Sequence, residues 1–240
     1  MFRRIMMTAL FAGLLAGLAI SVVQEFTTTP IILHAEEYEN RGTGGAQPHA
    51  QVRTVPHIVL VHTTSQPAEE TDAWGPADGL ERTFFTTLAN LLTGVGFALI
   101  LAACFALAGR PVDGRTGVLW GMAGFAVFTL APALGLPPEV PGTMAAELAD
   151  RQAWWFLCVA ATALGLWLLV FRSGALWAAL GIACLAAPHL VGAPHPDRIG
   201  GGVPPELAGH FAAASIVTGA IFWSILGWLS GTAWERLQRA

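Results

Sequence analysis

The chain has 240 residues, 54% of them hydrophobic and only 12% charged, with a formal net charge of −4. Soluble domains carry about 25% charged residues, so a water-soluble fold would leave its long apolar runs without polar cover. The acidic balance also excludes a nucleic-acid partner, which needs a basic face. Every fixed positive charge is an arginine, and Cys104, Cys158 and Cys184 all fall inside apolar runs with no CxxC pair. Such thiols behave as small hydrophobes, which argues against a disulfide framework or a thiolate metal site.

Met1-Phe2-Arg3-Arg4 opens an apolar run to Val23. That run exceeds the roughly 7–15 residues of a signal-peptide core, and no A-x-A site follows it, so it reads as an uncleaved first span. A helix crosses the hydrocarbon core in about 17–25 apolar residues. Residues 5–23, 84–107, 118–134, 154–171, 175–191 and 211–229 meet that test, the fifth being the shortest. The predicted fold is therefore all-α, a polytopic membrane bundle of about six transmembrane helices, since lipid leaves backbone groups no other way to pair. The predicted layout is a first span over 1–24, an outer loop over 25–83, and a membrane domain over 84–240 with five further helices.

Within the outer loop, Thr27-Thr28-Thr29-Pro30 offers an N-cap and a proline at N1. A short amphipathic helix over 30–39 follows, ended by Asn40-Arg41-Gly42. Residues 42–76 are rich in Gly, Pro and Thr and read as irregular; the apolar stretch 57–62 offers a strand or a surface-lying piece.

Arginine placement sets orientation. With a cytoplasmic N-terminus, Arg3, Arg4, Arg110, Arg115, Arg172, Arg236 and Arg239 lie inside, close to span ends. An even span number puts both termini in the cytoplasm of a bacterial inner membrane. The same topology sends every acidic residue except Asp113 and Glu235 to the outer side, together with all seven histidines. Carboxylate and imidazole together suit divalent cations.

The last four spans compare in pairs. Leu119-Trp120 leads to Ala131-Pro132-Ala133-Leu134, a Pro-rich loop and Glu147-Leu148-Ala149. Leu176-Trp177 leads to Ala187-Pro188-His189-Leu190, another Pro-rich loop and Glu206-Leu207-Ala208. This is a possible parallel repeat of two-helix hairpins, a form used by transporters. In the first copy Glu147 and Arg151 have the spacing of a helix ion pair; in the second the matching positions are Glu206 and His210, and His189 replaces Ala133. With His195 and Asp197 in the loop, His189, His195, Asp197, Glu206 and His210 form the first candidate metal site. His34 with Glu37, one turn apart on the outer helix and beside Glu36, forms the second. Gly13-x-x-x-Gly17 permits close helix approach. Trp154, Trp155 and Trp234 have the positions of an interfacial belt. The spans hold almost no ionisable residue, which argues against a proton relay or voltage sensor.

Two stretches carry a resemblance. Phe2-Arg3-Arg4, Ala12-Gly13-Leu14-Leu15-Ala16-Gly17-Leu18 and Pro30-Ile31-Ile32-Leu33-His34-Ala35-Glu36-Glu37-Tyr38-Glu39 form one. Pro194-His195-Pro196 with Pro204-Pro205-Glu206-Leu207-Ala208-Gly209-His210-Phe211-Ala212-Ala213-Ala214-Ser215 form the other. Together they resemble the CbtA family, proposed A subunits of a cobalt transporter. The resemblance implies five spans rather than six and cobalt uptake linked to cobalamin synthesis. It also implies a small single-span, histidine-bearing membrane partner, CbtB. No permanently bound cofactor is expected, only a transported Co²⁺ or similar divalent metal, and no enzymatic activity. The sequence contains no G-x-x-x-x-G-K-[ST], so this chain does not itself carry that nucleotide site. Two other readings of the residues stand beside transport. One is an electron-transfer subunit with His189 and His210 as axial haem ligands; the other is a non-catalytic membrane scaffold.

Overall fold

The structure, a computed structural model, describes residues 1–44, 76–196 and 200–239. Those residues form helices α1 (Phe2–Phe26), α2 (Thr28–Gly44), α3 (Leu80–Ala108), α4 (Gly114–Ala133), α5 (Leu148–Phe171), α6 (Ala175–Val191) and α7 (Pro205–Arg239), with no strand among them. The 57–62 stretch and Asp197 lie outside the described residues.

Helices α1, α3, α4, α5 and α7 are each long and apolar enough to cross a bilayer, and α6 is a shorter apolar helix. Leucines and phenylalanines such as Phe11, Leu18, Leu92, Leu107, Leu119 and Phe156 point outward. An apolar exterior of this extent requires lipid as the solvent.

Seventeen residues give α6 a length of roughly 25 Å, a little under the ~30 Å hydrocarbon core. It nevertheless runs almost the full length of α5. The indole N–H of Trp154, at the start of α5, donates to the Pro188 carbonyl near the end of α6 at 3.2 Å. At the other end Arg172–Gly174 make the turn between them. Helix α6 therefore lies alongside α5, a shorter apolar helix beside the five long enough to span.

The termini meet at one end of the bundle. Arg4 donates to the Trp234 carbonyl at 3.0 Å and to Gln238 at 2.9 Å, with its guanidinium 3.7 Å from the Trp234 ring centre. Trp234 and Trp154 are thus buried packing residues, not the interfacial belt their positions suggested. At the same end Asp113 caps α4: its carboxylate accepts the Thr116 N–H at 2.7 Å, and the Thr116 hydroxyl accepts the Asp113 N–H at 2.9 Å. These bonds hold the Asp113 carboxyl below its ordinary range, the Thr116 N–H contributing most.

Glycine contacts join the membrane helices in three pairs. Helices α1 and α3 meet at Gly13, Gly17 and Gly94, α4 and α7 at Gly117, Gly121, Gly227 and Gly231, and α5 and α6 at Gly165 and Gly181. A Cβ on Gly227 would stand 2.9 Å from the Cα of Gly121, and one on Gly17 would stand 2.6 Å from the Asn90 carbonyl oxygen. Lipid supplies no hydrophobic drive between helices, so such close backbone approach provides the association energy. Pairing also crosses the two repeat units: α4 of the first packs on α7 of the second, and α5 on α6.

Helix α4 carries a π-helical segment, Ala126–Leu130, just before Pro132. A proline inside an α-helix removes one bond and clashes with the carbonyl four residues earlier. Widening the turn, so that the Ala131 N–H reaches the Ala126 carbonyl, relieves that clash.

The end away from the termini, the distal end, is partly covered by α2. Buried Ala35, Val140 and Val203 pack there with Tyr38, Leu207, Ala208 and Phe211, and the two distal loops meet in a bridge between Thr143 and Gly201. Gly201 adopts φ +151, and a Cβ there would lie 2.8 Å from the Gly142 carbonyl oxygen. Helix α2 begins at Thr28, two residues before the expected start, and runs on to Gly44. Thr27 ends α1, its hydroxyl donating to Val23 at 2.8 Å. Arg151 does not pair with Glu147 as the helix spacing suggested. Glu147 caps α5 by accepting the Ala149 N–H at 2.6 Å, and Arg151 binds Glu139 of the preceding loop at 2.9 Å.

Candidate functional site

Three polar stripes converge inside the distal half of the bundle. On α3, Thr83, Thr86, Asn90 and Thr93 recur at helical spacing and lie on one face. Ser215 and Thr218 project from α7, and Ser21, Gln24 and Glu25 from the end of α1. Most of these residues line a cavity of about 670 Å³ that also touches Thr28, Thr29 and Ile32 of α2. It runs from Arg82 at the distal end to Phe97, roughly 22 Å along α3 at about 1.5 Å per residue. The cavity is therefore a vestibule reaching the middle of the membrane.

Its wall is held by its own polar groups. The Asn90 amide donates to Ser21 at 3.0 Å and to the Gln24 side-chain oxygen at 2.6 Å. Thr83 donates to Glu25 at 3.1 Å, Thr29 does so at 3.5 Å, and the Thr27 and Thr218 hydroxyls are 3.4 Å apart. At the mouth, Arg82 grips Glu36 of α2 with bonds of 2.7 and 3.0 Å and reaches Asp78 at 2.7 Å. This clamp fastens α2 to α3.

Aromatic rings close the floor. Phe97 lies 4.7 Å from Trp223 and 5.1 Å from Phe128, ring centre to ring centre. Phe128 stacks on Trp223 at 5.7 Å with planes 9° apart. Trp223 donates to the Thr129 hydroxyl at 3.3 Å. Phe128 and Thr129 belong to the π segment, and both also line a second cavity, of about 530 Å³, bounded by Glu139, Arg151 and Trp155. The π turn thus forms the partition between the two spaces.

The described histidines and acids expected as metal ligands lie outside the vestibule wall, dispersed over the outer-side segments and here called the rim. His34 is exposed on α2, its ring 5.5 Å from Tyr38. Glu37 is exposed beside it. His189 is exposed at the end of α6, 6.0 Å from the Trp154 ring. His195 is exposed in the following loop, and Glu206 and His210 are exposed in the first turns of α7. Among the described residues no three His, Cys, Asp or Glu side chains gather into a metal-binding group. Ionisable residues alone do not mark the vestibule wall, whose polar part is mostly hydroxyls and carboxamides set among apolar side chains. Thr83, Thr86, Asn90 and Thr93, recurring on one face of an apolar helix, were the available signal.

A multi-span helical bundle with a polar vestibule opening at one end has the architecture of a membrane transport protein. The family model described as "Probable cobalt transporter subunit (CbtA)" matches residues 2–235, and the chain belongs to that family. No curated protein and no solved structure matches it. Membership makes the chain a multi-pass transporter subunit, and a subunit implies a complex. The transport family does not favour the haem or scaffold readings, and a transporter subunit is not typically catalytic.

Proposed function

We propose that this chain is the membrane subunit for uptake of a divalent transition metal, cobalt, destined for cobalamin synthesis. The observation that carries the reading is the vestibule, open at the distal end and stopped by aromatic rings at mid-membrane. The distal end is the outer face, and both termini are cytoplasmic in a bacterial inner membrane. The arginine excess beside the termini supports this orientation. Cobalt is captured on the outer side by His34 with Glu37, and by His189, His195, Asp197, Glu206 and His210. A small single-span, histidine-bearing partner of the CbtB kind completes the coordination. Imidazole and carboxylate donors suit Co²⁺.

Radiolabelled cobalt accumulation in cells expressing this chain, with and without the partner, tests the proposal. Accumulation that depends on the chain is expected. Its absence in both cases, with the protein present in the membrane, would contradict the proposal.

A further inference from the structure

We infer that Glu25 anchors a second, oxygen-only cation site within the vestibule, one that holds a largely hydrated divalent ion without selecting cobalt. The inference rests on the transport reading but concerns a different set of atoms from the imidazole rim.

Charge comes first. Among the described residues the vestibule wall contains two ionisable side chains, Glu25 and Arg82. Arg82 is neutralised by Glu36 and Asp78, both in contact with it. The bonds to the Glu25 carboxylate come from hydroxyls, those of Thr83 and Thr29. A carboxylate that has no cationic partner among the described residues, exposed at the wall of a cavity of about 670 Å³, makes that wall attractive to cations.

Donor type comes second. Around Glu25 the wall offers the hydroxyls of Thr83, Thr29 and Thr86 and the carboxamides of Gln24 and Asn90. Among the described residues no imidazole or thiol lines the cavity. Hard oxygen donors suit Mg²⁺, Ca²⁺ and Mn²⁺, and nitrogen donors are what separate the later transition metals from them. Hydroxyls that now donate to Glu25 turn easily to present lone pairs to an ion. One carboxylate and neutral oxygens do not replace a full hydration shell, so the ion keeps several waters. The site is consequently weak and permissive, which suits passage. Discrimination for cobalt then belongs to the rim or the partner.

Mn²⁺ binding to the purified full-length chain in lipid nanodiscs, followed by the loss of the free-ion paramagnetic signal, tests this. Glu25→Gln should weaken binding about tenfold, the loss of one charge interaction, and Glu25→Asp should restore most of it. The combined His34→Ala, His189→Ala, His210→Ala variant should lose the imidazole contribution yet keep the Glu25-dependent component of binding within about twofold, since these groups lie outside the wall. Competition at the Glu25-dependent site should show Co²⁺ and Mn²⁺ within about tenfold of each other. Glu25→Gln binding as well as wild type would overturn the inference, as would a Co²⁺ preference beyond about a hundredfold. Should Glu25→Gln not yield folded protein, Thr29→Val with Thr83→Val keeps the charge. About threefold weaker binding is then expected, and unchanged binding would overturn the inference. Failure of cobalt accumulation in cells with Glu25-dependent Mn²⁺ binding intact would remove the transport reading alone.

Discussion

The wall of the vestibule and the rim above it hold polar groups in opposite ways. Wall residues are bonded to each other across three helices, as Asn90 is to Ser21 and Gln24, and those helices are locked by glycine contacts. Rim imidazoles are exposed one by one, on α2, at the end of α6, in a loop and at the start of α7. A preorganised wall holds its geometry for any ion that enters, whereas a dispersed rim needs a ligand or another chain to bring its donors together. Under the proposed function, that contrast gives passage to the wall and recognition to the rim.

Breaking the wall at its foundation has the largest expected effect. Gly121→Leu or Gly227→Leu would drive side-chain atoms into the opposing backbone of α7 or α4. The strain exceeds the ~1–3 kcal/mol of ordinary overpacking, because backbone on the other side cannot yield. Monodisperse protein should be lost on detergent extraction. Trp223→Ala comes next. It removes a ring that is 2% exposed and touches Phe97, Phe128 and Thr129. A cost of about 3–5 kcal/mol is expected for a buried Trp, read as a lower thermal midpoint, together with water reaching past the floor.

The rim should respond more gently. Arg82→Ala unfastens α2 from α3 at a cost of about 1 kcal/mol, the scale of a partly exposed ion pair. Hydrogen exchange should rise in α2 while α3 stays protected below Asn90. The smallest stability effects belong to His189→Ala and His210→Ala, within about 0.5 kcal/mol for exposed positions. Under the proposed function these two should still lower cobalt accumulation at limiting metal, a loss of transport without a loss of fold.

Much of the architecture was legible in the sequence because lipid allows so few solutions. Apolar length alone located the five spanning-length helices and the shorter α6, which packs on α5 where Trp154 reaches Pro188. The glycine seams were only partly visible. Gly13 and Gly17 show a familiar spacing, but Gly227 and Gly231 have meaning only once α7 is known to lie on α4. Arg151 shows the same limit, since its partner Glu139 sits in a loop whose path depends on tertiary packing. Pro132 hinted at a distorted helix without indicating that the distortion would set Phe128 and Thr129 between two cavities. The vestibule stayed hidden because each threonine is unremarkable alone; only the convergence of α1, α3 and α7 makes them a wall.

Accessibility of that wall tests the account most directly. In a chain with its three cysteines replaced, Thr86→Cys, on the wall, and Ala98→Cys, buried beyond the floor, would be challenged in intact cells with a membrane-impermeant thiol reagent. The account predicts rapid labelling at position 86 from outside and none at position 98. Protection of position 86 from outside, with labelling only after the cytoplasmic face is exposed, would contradict it.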